Sequence, residues 1–198
     1  NDRGYRNNDW DRGHLVMRRA MHWGDETNAR QADSESYYWT NISPQHTRLH
    51  ATAWGSIEDW VLRSAEEGNV RACIFCGPVL GENDPEHING PDESPVRIPA
   101  GFWKIAVLRH RGRLSAAAFL VWQRDFGSPD PLPFDPGLEQ VRVTTLEYLT
   151  SLDFGQLRFY DPLRFGQLPD NSRGHPSTRS APTSQRPREV AAPGDIVL

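Results

Sequence analysis

The stretch "TRLHATAWGSIEDWVLRSAEEG", residues 47–68, carries the clearest periodicity in the chain. Leu49, Ala53, Trp54, Ile57, Trp60 and Val61 recur at helical spacing, which predicts an amphipathic helix with Gly68 as a stop. His50, Trp54 and Glu58 stand at i, i+4 and i+8, so they share one stripe. Trp54 reads as core. A His and a Glu one to two turns apart can serve the first and second shells of one metal ion. The amide of Asn41, in "TNISPQ", stands just before this helix.

Upstream lies "DWDRGHLVMRRAMHW", residues 9–23, with Asp11, Arg12, Gly13 and His14 in a row. Such a run is poor core material and suits a charged substrate. Cutting a phosphodiester needs a base to activate water, a cation to help the leaving oxygen depart, and donors to hold the pentavalent transition state. Imidazole suits the first role, since it titrates near neutrality. Guanidinium suits the last, because its fork matches phosphate. Gly13 is read as permitting an unusual backbone turn between the two. Asp11 is read as orienting Arg12 or the nearby backbone. In a chain this long a given tetrapeptide arises by chance at a rate on the order of one in a thousand, so the four residues need the helix downstream to carry weight.

The rest of the sequence frames these motifs. With 198 residues, 16 glycines and 16 prolines, one loop-rich domain with a tail is expected. No apolar run approaches a membrane span and the N-terminus shows no signal-peptide pattern. The opening "NDRGYRNNDW" reads like the middle of a domain, so an earlier strand is expected to precede it. Net charge is −4, which excludes a globally basic nucleic-acid binder. The run from Arg97 to Arg124 holds six basic residues, Lys104 among them, and no acidic one; it is read as a solvated hairpin ahead of a phosphate-facing patch.

"SESYYWTNISPQ" (34–45) is aromatic-rich and is read as breaking at Pro44. "VRACIFCGPVL" (70–80) predicts a buried strand. Its Cys73 and Cys76 are read as buried structural thiols, since positions three apart in a strand point to opposite faces and no second pair completes a zinc site. Residues 102–122 predict a hairpin turning at Arg111-Gly112. Thr144 and Glu147 have capping-box spacing, so a short helix is expected there. Glu82, Asp84, Glu86 and His87 read as a solvated loop, and His22 and His46 as surface residues. Residues 166–198 are Pro/Ser/Arg-rich and are expected to be disordered. The order of elements is α+β.

At this point the chain resembles the DNA/RNA non-specific endonucleases of ββα-metal (His-Me finger) type, the endonuclease G-like family. The resemblance rests on "DRGHL" (11–15), "YYWTNISPQ" (37–45) and "RLHATAWGSIE" (48–58). Fainter echoes follow in "FCGPV", "IPAGFWKIAV" and "VTTLEYLTSLDF". Together these cover residues 9–160 in the family's order. The resemblance implies a central antiparallel sheet with flanking helices, and a nuclease domain over 1–165. It implies His14 as general base, Arg12 at the transition state, Asn41 holding the geometry, and Glu58 gripping the water shell of one divalent cation. The direct ligand would be position 50, where the family usually carries Asn. His50 there shifts the expected preference from Mg²⁺ toward Mn²⁺ or another transition metal. A catalytic Arg that the family carries upstream has no counterpart here beyond Arg3 or Arg6. The function implied is metal-dependent hydrolysis of DNA and RNA leaving 5′-phosphate ends. The alternative is a catalytically impaired module that binds nucleic acid or a protein. A homodimer and an inhibitor or regulatory domain are the protein partners such a family allows; no membrane partner is expected.

Overall fold

The computed structural model describes residue 5 and residues 9–50, 53–87, 94–123, 138–164 and 187–198, with the backbone alone at 48, 50, 53 and 87. Strand β1 (Trp10–His14) is followed by α1 (Glu26–Glu35) and β2 (Ile42–His46). The two strands form an antiparallel ribbon in which His14 lies opposite Ile42 and Trp10 opposite His46. Pro44 sits inside β2, opposite Arg12, and does not break the chain. A two-stranded ribbon consists of edges, where a missing N–H is tolerated. The predicted helix appears as α2 (Thr47–His50) and α3 (Ala53–Glu67), with residues 51 and 52 outside the described ones.

The remaining strands are β3 (Ala72–Val79), β4 (Glu86–His87), β5 (Val96–Arg97), β6 (Gly101–His110), β7 (Arg113–Trp122), β8 (Leu138–Val141) and β9 (Arg188–Glu189); α4 (Val143–Thr150) follows β8. Five of them form one antiparallel sheet in the order β3-β6-β7-β8-β9, while β4 and β5 pair separately. The predicted hairpin is β6–β7. Its turn residues Arg111 and Gly112 both have positive φ, 48° and 78°, as a two-residue turn matched to strand twist requires.

Helices cover both faces of this sheet. On one face Phe102, Ala106 and Leu108 pack with Trp54, Ile57 and Val61 of α3. On the other, Trp103, Ile105 and Val107 pack with Val143 and Leu146 of α4. Period-two alternation therefore sorts β6 into an α3 side and an α4 side. Burying each large apolar side chain here is worth about 1.5–3 kcal/mol against exposure.

The structure corrects several expectations. β3 is an edge strand, so Cys73 is exposed and Cys76 half-buried rather than both thiols being buried. The thiols do point to opposite faces, Cys76 lying opposite Lys104 and Cys73 opposite Val107. Helix α4 has no capping box: its first N–H, from Val143, donates to Asp161 Oδ2 at 2.8 Å. Glu147 instead accepts from the Phe154 N–H at 3.1 Å and meets Arg158 at 3.3 Å. Finally, residues 187–198 are not a disordered tail. β9 pairs with β8, Val190 is buried in the core, and the Val197 backbone exchanges two 2.9 Å hydrogen bonds with the Gln140 side chain. Residues 165–186 lie outside the described ones, as do Arg3, Arg6 and Arg124.

One side chain ties the ribbon to the sheet. Gln123, fully buried, donates to the Pro44 and Pro99 carbonyls at 3.1 and 2.9 Å and accepts from the His46 N–H at 3.1 Å. This sets where β2, and hence β1, stands against β6 and α3.

Candidate active site

His14 is the last residue of β1. Alternation puts Arg12 on the same face of the strand and Asp11, which is exposed, on the other. Gly13 does not make the unusual turn expected of it: its φ is not positive, and it lies within the ribbon. Its reason is space. A Cβ on Gly13 would sit 2.1 Å from the Gln45 side chain, which crosses the strand there. Any side chain here would require the buried Gln45 side chain to move.

The chain beyond His14 is clamped by Asn41. Its Oδ1 accepts from the Val16 N–H at 3.0 Å, and its Nδ2 donates to the carbonyls of Val16 and Ser36 at 3.1 and 2.9 Å. Its own carbonyl accepts from the Leu15 N–H at 2.9 Å. Every polar atom of the amide is thus spent on backbone, tying Val16, two residues past His14, to Ser36.

The link to the helix comes from a residue whose charge alone suggests a solvated cation. Lys104 is 2% exposed. It shares the α3 side of β6 with Phe102 and Ala106, so its ammonium reaches the helix. Nζ donates to Glu58 Oε1 at 2.7 Å and to the Leu15 carbonyl at 2.5 Å, and lies 4.1 Å from the centre of the Trp54 ring. A buried ammonium requires such partners, and a buried carboxylate likewise. Lys104 therefore joins the end of β1 to the Trp54–Glu58 stripe of α3. The signal is present in "FWKIA": in a strand whose neighbours at i−2 and i+2 are both apolar, a lysine is drawn inward.

Around His14 the surface is aromatic. The Tyr37 ring stands edge-on to the His14 ring at 5.2 Å, and the Arg18 guanidinium lies 6.0 Å from the Tyr37 centroid. Arg18 and then His22 bond Asp33, and hold its carboxyl below the usual carboxylate range. His46, half-buried, packs edge-on to Trp10 at 5.8 Å.

The structure thus brings His14, Asn41 and Glu58 into one connected set through Lys104. His50 closes α2, and its side chain lies outside the described residues. Among the described residues no three His, Cys, Asp or Glu side chains converge as a metal cage. Of the two residues implied for the cation only Glu58 has a described side chain, and one of its carboxylate oxygens is held by the Lys104 ammonium. A carboxylate has a second oxygen with which to accept from a cation's water shell.

Residues 1–159 match the DNA/RNA non-specific endonuclease family, and the chain belongs to it. It is 36% identical over 135 residues to the uncharacterized protein y4fB of Sinorhizobium fredii, covering 65% of this chain and 19% of that protein. It is 26% identical over 163 residues to the mitochondrial nuclease EXOG of Xenopus laevis, covering 76% of this chain and 42% of that one. The match therefore spans less than half the length of either relative. Among the described residues, no helix is long and apolar enough to cross a membrane.

Proposed function

We propose that this chain is a ββα-metal nuclease domain that hydrolyses phosphodiester bonds of DNA and RNA with little sequence preference. The observation that carries the reading is the Lys104 bridge, 2.5 Å to the Leu15 carbonyl and 2.7 Å to Glu58. It draws together the strand end that bears His14 and the helix face that bears Glu58, two halves of one site in the ββα arrangement.

In this mechanism His14 takes the proton of the attacking water. Arg12, on the same face of β1, donates to the non-bridging oxygens as charge builds on the phosphate. Asn41 keeps the imidazole aimed by fixing the backbone just beyond it, and Gly13 leaves room for Gln45 beside the strand just before it. His50 would ligate one divalent cation directly, and Glu58 would hold its water shell. When bound, that cation supplies charge neutralisation at the departing 3′ oxygen. The P–O3′ bond breaks, so the phosphate stays on the 5′ end. Phosphate contacts carry no base information, which gives the low sequence preference.

The test is cleavage of plasmid and of RNA in EDTA and with Mg²⁺, Mn²⁺, Co²⁺ or Zn²⁺ in turn, for the wild type and for His50→Asn. Cutting that needs metal, 5′-phosphate ends, and a preference that moves toward Mg²⁺ in His50→Asn are the expected results. Retained nucleic-acid binding with no cutting under any metal would replace this reading with a binding-only one.

A further inference from the structure

Three consecutive aromatic residues, the first of them edge-on to His14, stay in solvent: Tyr37, Tyr38 and Trp39 are 54%, 62% and 51% exposed. Water contact over three large rings in a row is costly surface for a folded chain, and such patches mark binding sites. These rings pack in neither face of the core. They occur where the chain turns through the short helical turn Trp39–Asn41, whose last residue is the clamp on Leu15 and Val16. The same clamp that sets His14 therefore sets the aromatic run.

A cation stands at the Tyr37 end of the run, paired with Asp33. Arg18 lies 6.0 Å from the Tyr37 ring. At the other end Trp39 stacks on Tyr5, centroids 6.4 Å apart and planes within 18°. The Arg12 charge acts on that same tyrosine, opposing the upward push of burial on its hydroxyl. Aromatic faces interleaved with guanidinium groups are what an unpaired strand requires: rings for the bases and cations for the phosphates. Inside a duplex the base faces stack on one another, so rings reach them only where the stack is opened.

We propose that Tyr38 and Trp39, with Tyr37 at the His14 end, form a stacking ledge for unpaired bases of single-stranded nucleic acid next to the scissile phosphate. This rests on the reading of His14 as the catalytic centre and adds the substrate form that centre prefers. Stacking is indifferent to base identity, so the ledge favours unpaired substrate without imposing a sequence.

The experiment uses the whole chain carrying His14→Ala, in EDTA, so that binding is read without cleavage. Labelled 12-nucleotide oligo(dT) and a 12-base-pair duplex are titrated by fluorescence anisotropy. Tyr38→Ala/Trp39→Ala is compared with Tyr38→Leu/Trp39→Leu, which keeps bulk but removes the π face, and with Tyr38→Phe/Trp39→Phe, which keeps the face. The Ala and Leu pairs should each weaken single-strand binding by about tenfold or more and leave duplex binding within about twofold, while the Phe pair retains it. Equal losses on both nucleic acids, or unchanged single-strand binding in the Leu pair, would overturn the ledge. Intact single-strand binding in a wild type that never cuts would overturn the nuclease reading instead and leave the ledge standing.

Discussion

Lys104 Nζ lies 2.7 Å from Glu58 Oε1, and both side chains are almost wholly removed from water, at 2% and 8% exposure. Truncating one partner of a buried pair leaves the other charged and unsatisfied. Lys104→Met should therefore cost about 3–5 kcal/mol of stability, read as a lower urea midpoint. Lys104→Met/Glu58→Gln should recover much of that loss, since the isolated carboxylate is gone. Additive losses would mean the two residues do not act as a unit.

Gly13 is predicted to be required for reasons of volume set by Gln45. A methyl there overlaps Gln45 at 2.1 Å, so Gly13→Ala should destabilise by about 1–3 kcal/mol and lower activity by shifting His14. Gly13→Ala/Gln45→Ser should regain part of both, as measured by thermal melting and cleavage rate. No recovery would place the need for glycine elsewhere.

Asp161 is buried, and that burial pushes its carboxyl above the usual carboxylate value, although the Val143 and Leu163 N–H groups pull the other way. Between the unfolded value and the raised folded one, the folded chain binds more protons than the unfolded chain. Its contribution to stability is therefore fully present below the unfolded value and falls as pH rises through that window. Subtracting the urea stabilities of Asp161→Asn from those of the wild type across a pH series spanning the carboxylate range should give a difference that declines as pH rises and then levels off. A difference that grows with pH would reverse the assignment.

The two cysteines should separate kinetically. Cys73 is exposed on the edge strand, whereas burial raises the half-buried Cys76 thiol, with Lys104 opposing and Glu58 adding to that push. Less thiolate means slower attack. Ellman's reagent in mildly alkaline buffer should consume one thiol rapidly, and Cys73→Ser should abolish that fast phase. A fast phase surviving in Cys73→Ser would contradict the burial of Cys76.

Much of this organisation is legible in the sequence, and the gaps have physical causes. The α3 stripe and the β6–β7 hairpin carry strong periodicities of their own. "DRGH" marks the strand end at His14, but not why Gly13 is there, because the Gln45 side chain that fills the space belongs to the other strand. Helix α1 has little signal because "ETNARQADSE" buries only Ala32 and owes its start to the Asp25 cap on Asn28. β9 is two polar residues whose pairing with β8 is non-local. The cap on α4 likewise comes from Asp161, 18 residues away. Lys104 reads as solvated only while its charge is weighed ahead of its position in the alternation.

The most direct measurement is single-turnover cleavage of a labelled oligonucleotide by the wild type and by His14→Ala, with circular dichroism showing both folded. Loss of a positioned general base should slow cleavage by about 10²–10⁴-fold at saturating metal while leaving nucleic-acid binding unchanged. A His14→Ala protein that folds, binds and cuts at the wild-type rate would contradict the account, because the strand end held by Asn41 and Lys104 would then not be the catalytic centre.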